Sequence, residues 1–149
     1  MKRYFFIDII SLLFTMLFLY TAISKWMDYN IFKEQIALSP LLAPISKLIA
    51  ISLPITETVI AVLLLIPKFR LIGLYISTIL MTLFTIYILY ILASGQPIPC
   101  TCGGLIEALS WNGHLVFNCA FILIGVTGII GESAFRKKAK VELKSIAIG

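Results

Sequence analysis

Charge is what this sequence has least of. Only 13% of its 149 residues are charged, against about 25% in a soluble domain of this size. Hydrophobic residues fill 60% of the chain, and the mean hydropathy is +1.06. So much apolar surface cannot be hidden in one small core, which excludes an ordinary cytosolic enzyme, a disordered tail and a disulfide-stapled secreted module. In-out alternation of polar and apolar residues is also missing, which excludes a transmembrane β-barrel. The solvent for these runs is a lipid bilayer.

A helical crossing needs roughly 20 apolar residues. Four runs qualify, at about 5–24, 45–66, 71–94 and, shorter, 114–130. The fold class expected is therefore all-α, an integral membrane four-helix bundle occupying residues 1–135, followed by a basic tail at 136–149. Lys2 and Arg3 precede the first run as in a signal peptide, yet no small-x-small cleavage site follows Ala22-Ile23-Ser24, so a retained helix is expected.

Lys2, Arg3, Lys68, Arg70, Arg136, Lys137, Lys138, Lys140 and Lys144 fall on one side of these runs, and Lys25, Lys33 and Lys47 on the other. Nine against three is a positive-inside bias that puts both termini in the cytoplasm. The net charge of +5 is then mainly a topology signal, with the tail an anchor against anionic lipid. No groove-facing arrangement of basic residues suggests nucleic acid. Residues 25–44 read as an outer connection with Trp26, Tyr29 and Phe32 at the interface, residues 67–70 as a tight inner turn, and residues 139–149 as mobile. Gly125, Gly128 and Gly131, like Gly73 and Ser77, present small faces suited to close helix packing.

The second outer connection contains Pro99-Cys100-Thr101-Cys102-Gly103-Gly104. On the outer face disulfides form and persist. A Cys-x-Cys bridge closes a very small, strained ring near the distance limit, and strain makes it reducible. It removes little unfolded-chain entropy, so it serves poorly as a staple and well as an exchangeable electron store. A static bridge, palmitoylation, and a metal site completed by His114 and Cys119 are the competing readings. For metal, the cysteine spacing is not the usual zinc hook and a fourth ligand is not evident.

Taken together, Tyr20 to Lys25 with Asp28, Pro54 with Glu57, the Pro99–Gly104 motif, Ser110-Trp111, His114 and Phe117-Asn118 resemble the MauE branch of the DoxX-like membrane proteins, four-helix redox-associated proteins of bacterial inner membranes. The family namesake is linked to maturation of a disulfide-rich periplasmic enzyme, methylamine dehydrogenase, alongside a thioredoxin-like partner. Gly103-Gly104 departs from the namesake's Phe-Gly. The resemblance implies a membrane thiol–disulfide redox protein exchanging electrons with a periplasmic thioredoxin-like protein through Cys100 and Cys102. The alternative is a non-catalytic membrane subunit or anchor with a static bridge.

Three polar residues within or beside the runs complete the candidates. Glu57, mid-helix, must be paired or protonated; it serves either a proton relay or a quinone-like carrier, with Asn118 beside it, or it bonds a neighbouring Thr, Ser or Asn118 as a neutral acid. His114 can shuttle a proton to a leaving thiolate, or simply sit wet among the headgroups. Asp8 lies within reach of Lys2, Arg3 or Arg70 and reads as structural. Cys119, deep in an apolar run, reads as inert. Leu105–Leu109 is expected to form a short surface helix with Cys102 at its N-terminus, where the helix dipole stabilises a thiolate.

Overall fold

Long apolar runs leave the backbone no solvent partner in lipid, so each must close its own hydrogen bonds as a helix. The computed structural model describes residues 2–39, 41–94 and 111–148, and among them every regular element is helical. The elements are α1 (Lys2–Met27), α2 (Tyr29–Leu38), a single 3-10 turn (Ala43–Ile45), α3 (Ser46–Leu65), α4 (Arg70–Ser94) and α5 (Trp111–Ile148). α1, α3, α4 and α5 are long and apolar enough to cross a membrane. Many polar hydroxyls inside them bond back to their own helix, as Thr15 does to the Ser11 carbonyl (2.8 Å) and Thr85 to that of Met81 (2.8 Å), which lowers the cost of placing them in lipid.

The long helices pack in a closed ring, α1 on α3, α3 on α4, α4 on α5 and α5 back on α1. Phe14, Phe18, Ile60, Leu64 and Leu74 are fully buried at its centre. Phe14 meets the edge of Phe121 with ring centroids 5.3 Å apart. The small faces of α5 and α4 do pack closely. A Cβ on Gly125 would overlap Thr78 Oγ1, and one on Gly73 would lie 3.0 Å from Leu64 Cγ. Large apolar side chains such as Met16, Leu48 and Leu123 are exposed around the outside, the reverse of a soluble bundle.

The bundle has two distinct ends. At the basic end, Phe69 and Arg70 donate to the Ile66 carbonyl and close the α3–α4 turn. Arg70 pairs with Asp8 at 2.8 Å, so the turn supplies one of the partners expected for Asp8. Arg136 reaches across to the same turn, donating to the carbonyls of Pro67 (2.7 Å) and Lys68 (3.0 Å) while Nε bonds Glu132 (2.9 Å). The other end, here the loop end, gathers α2, the start of α3, the last turns of α4 and the first turns of α5.

Two expectations change. The outer connection does not keep Phe32 at the interface: it folds into α2, which turns Phe32 and Ile36 inward against Ala50 and Leu53 and leaves Trp26 exposed. Nor do residues 139–148 form a loose tail. α5 continues unbroken to Ile148, because no Gly or Pro interrupts the chain after Gly131, its Ala, Lys, Glu and Leu residues favour helix, and the Glu132–Arg136 pair adds i,i+4 support.

Candidate functional site

Five polar side chains converge inside the loop end. Thr21 and Lys25 stand one turn apart on α1, His114 and Asn118 one turn apart on α5, and Glu57 faces them from the middle of α3. Lys25, Glu57, His114 and Asn118 are only 4%, 1%, 4% and 3% exposed.

The pairing within this group is specific. Lys25 Nζ donates to Glu57 Oε1 at 2.8 Å, to Oε2 at 3.1 Å and to the Thr21 carbonyl at 3.3 Å, so its three protons have three acceptors. The Phe32 ring lies beneath the ammonium, 5.6 Å from its centroid. A lysine at a helix end ordinarily extends toward the headgroups. Lys25 turns inward because Glu57 in an apolar helix needs an opposite charge, and two charges desolvated together are tolerable only when so fully bonded. The structure thus gives Glu57 a lysine partner beside the hydroxyl or Asn118 partners expected from the sequence.

These groups line a cavity of about 500 Å³ to which all five helices contribute. Its other walls are mostly apolar, with Leu53, Met81, Phe84, Tyr87 and Phe117 among them. Two buried polar atoms belonging to its walls, Gln35 Oε1 and Asn118 Nδ2, have no hydrogen-bond partner among the described residues. In an apolar enclosure such atoms are costly to leave unmade, and they fit a ligand carrying both an acceptor and a donor.

Of the residues singled out from the sequence, Glu57, Asn118 and His114 meet in this one cavity. His114 is buried in the bundle and not wet among headgroups: α5 packs on α4 and α1, and the His114 side chain forms part of the cavity wall. Cys119 is a free thiol on the exposed face of α5, away from the cavity walls. Cys100, Cys102, the glycines after them and the expected 105–109 helix lie outside the described residues. Among the described residues no group of three His, Cys, Asp or Glu side chains is placed to hold a metal. Lys25, Thr21, Phe32 and Gln35 escaped the sequence reading. The usable signal for Lys25 was the charge on Glu57, because the basic residues at that end are only Lys25, Lys33 and Lys47, and Lys47 sits almost three turns away on the same helix.

The family model described as methylamine utilisation protein MauE matches residues 3–131, which takes in every residue of this cavity. No curated protein and no solved structure matches the chain.

Proposed function

This chain belongs to the MauE family, and from that premise we propose that it is a thiol–disulfide redox protein of the bacterial inner membrane, serving methylamine utilisation. Both termini face the cytoplasm in this reading, and Cys100 and Cys102 face a periplasmic thioredoxin-like partner. Placement of the family among the DoxX-like proteins belongs to the same proposal. The observation that carries it is the cavity with its buried Lys25–Glu57 pair, His114 and Asn118. Tyr87 and His114 in its walls stand within two turns of Ser94 and Trp111, between which the Cys-x-Cys segment runs.

The exchange balances simply. Cys100 is joined to one sulfur of the partner in a mixed disulfide, and the Cys102 thiolate attacks Cys100 Sγ. The Cys100–Cys102 bond forms, the mixed bond breaks, and the partner leaves as a thiolate that takes a proton from His114. One partner disulfide becomes two thiols while two thiols here become one disulfide, and the reverse sequence oxidises the partner. A quinone held beside Glu57 and Asn118 supplies a two-electron, two-proton carrier. Asn118 Nδ2 is placed to donate to one of its oxygens and Gln35 Oε1 to accept the hydroxyl of the reduced quinol, and the Lys25–Glu57 pair lies at the cavity floor.

The test is trapping. In Cys102→Ser a covalent adduct with a thioredoxin-like protein should accumulate on Cys100 and vanish with reductant. Adducts only in Cys100→Ser would exchange the two roles. No adduct in either variant, with cellular disulfide formation untouched, would leave a membrane anchor with a static bridge.

A further inference from the structure

We infer that the cavity is entered sideways from the membrane, through a gap between α3 and α4, by a flat, neutral, lipophilic molecule whose carbonyl oxygen takes the Asn118 hydrogen bond. The proposed function enters only in identifying that molecule as an electron carrier. The entry route and the recognising residues stand on geometry.

α3 and α4 form a wedge. Near their shared turn they touch, with Leu64 N 3.1 Å from where a Gly73 Cβ would stand. Toward the loop end the facing residues, Ser52, Leu53 and Thr56 on α3 and Leu83, Phe84 and Tyr87 on α4, line the two walls of the cavity. Ser52, Thr56 and Leu83 are also exposed on the outside of the bundle, Leu83 to 55%. The same side chains therefore bound the inner space and the outer surface, which makes the α3–α4 seam a mouth. Thr56 lies ten residues into α3, about 15 Å from its start, so the mouth opens at the depth of the lipid chains.

The chemistry of the walls narrows the occupant. An anion would need a free cation, but the Lys25 ammonium already has three acceptors. A cation would meet a carboxylate whose two oxygens are both taken by Lys25. What is left to be satisfied is one amide donor on Asn118, itself 97% buried by its 3% exposure, and one amide acceptor on Gln35. Phe32, Phe84, Tyr87 and Phe117 offer ring faces and edges to a planar group. The volume of about 500 Å³ suits a substituted ring and the first part of an alkyl chain.

The experiment uses the full chain in nanodiscs of phosphatidylethanolamine and phosphatidylglycerol, with a tritiated decyl-benzoquinone as the probe. Saturable binding of one probe per chain is expected. Asn118→Leu should weaken it roughly tenfold, the effect of one hydrogen bond left unmade in a dry site, and Asn118→Gln should weaken it less. Leu83→Trp should slow uptake and release together, each about tenfold, because a plug in a doorway acts on both rates. Leu83 is 55% exposed at the rim, so this variant tests the route even if Asn118→Leu does not fold. Uptake that merely tracks the amount of lipid would overturn the site, and wild-type rates in Leu83→Trp would overturn the route. Binding should persist in the Cys100→Ser, Cys102→Ser double variant. Persistence there with no partner trapped in the single variants removes the thiol function and keeps the cavity, whereas trapped partner without probe binding does the opposite.

Discussion

Lys25 Nζ and Glu57 Oε1 meet at 2.8 Å across 32 residues of chain, each almost wholly removed from solvent. The contact ties the end of α1 to the middle of α3 and sets the polar floor of the cavity. It is the strongest electrostatic commitment among the described residues, and it fixes how the two residues respond to substitution.

Removing one member leaves the other charged and alone, a loss of about 3–5 kcal/mol. Glu57→Gln and Lys25→Met are each expected to destabilise the bundle on that scale in a denaturant titration. The double variant Lys25→Met, Glu57→Leu should recover most of the loss, because two apolar side chains need no partner. Single effects that simply add in the double variant would show that the charges are not coupled. A nearly silent Glu57→Gln would restore the neutral-acid alternative.

Helix contact at Gly125 is equally specific. A methyl there collides with Thr78 Oγ1 and stands 3.2 Å from Phe14 Cζ, whereas one at Gly131 finds Ile7 at 3.4 Å, an ordinary contact. Gly125→Ala should cost about 1–3 kcal/mol, and Gly131→Ala should stay within about 0.5 kcal/mol. Adding Thr78→Ala to Gly125→Ala removes the colliding oxygen and should return part of the stability. Equal losses at both glycines would refute the assigned packing.

At the basic end, the Arg136 fork holds Glu132 and two turn carbonyls at once. A lysine ammonium lacks that planar geometry. Arg136→Lys should therefore behave more like Arg136→Ala than like wild type, with a loss of about 1 kcal/mol and faster proteolytic cutting at residues 66–69. A wild-type cutting rate in Arg136→Lys would reduce the clasp to simple charge attraction.

Sidedness is testable in a Cys119→Ser background, which removes the exposed thiol on α5. In intact spheroplasts, after reduction, a membrane-impermeant maleimide should label Cys100 and Cys102. A cysteine introduced as Lys140→Cys should be labelled only after lysis. Labelling of the tail position first would invert the orientation argued from the basic residues.

The four long helices were legible because lipid demands uninterrupted apolar runs, and such runs are visible one helix at a time. Their ends were less so. Trp26-Met27 and Arg136 onward are polar or interfacial in composition, yet the backbone keeps its helical hydrogen bonds past the apolar stretch. α2 was hidden because ten residues of modest hydropathy become helical only when Phe32 and Ile36 find α3.

The cavity was half legible. Glu57, His114 and Asn118 stand out as polar residues in or beside apolar helices, and each could be flagged alone. Lys25 looked like one more loop charge, since nothing along α1 says that its side chain turns back. Its role depends on α1 and α3 lying side by side, a relation that no single-helix pattern records. Gln35 was invisible for the same reason one step removed, because its place in the wall follows from the folding of α2.

α5 has 38 residues, about 57 Å at 1.5 Å per residue, nearly twice the roughly 30 Å of a hydrocarbon core. Its first turn supplies His114 and its second Asn118, and its far third carries Lys137, Lys138, Lys140 and Lys144. One continuous rod thus runs from the cavity to the opposite side, pivoting where Gly125 and Gly128 press on α4 and α1. A rigid rod on a pivot is a lever. Any tilt about that contact would displace the basic tip together with His114 and Asn118, since all three ride on one helix.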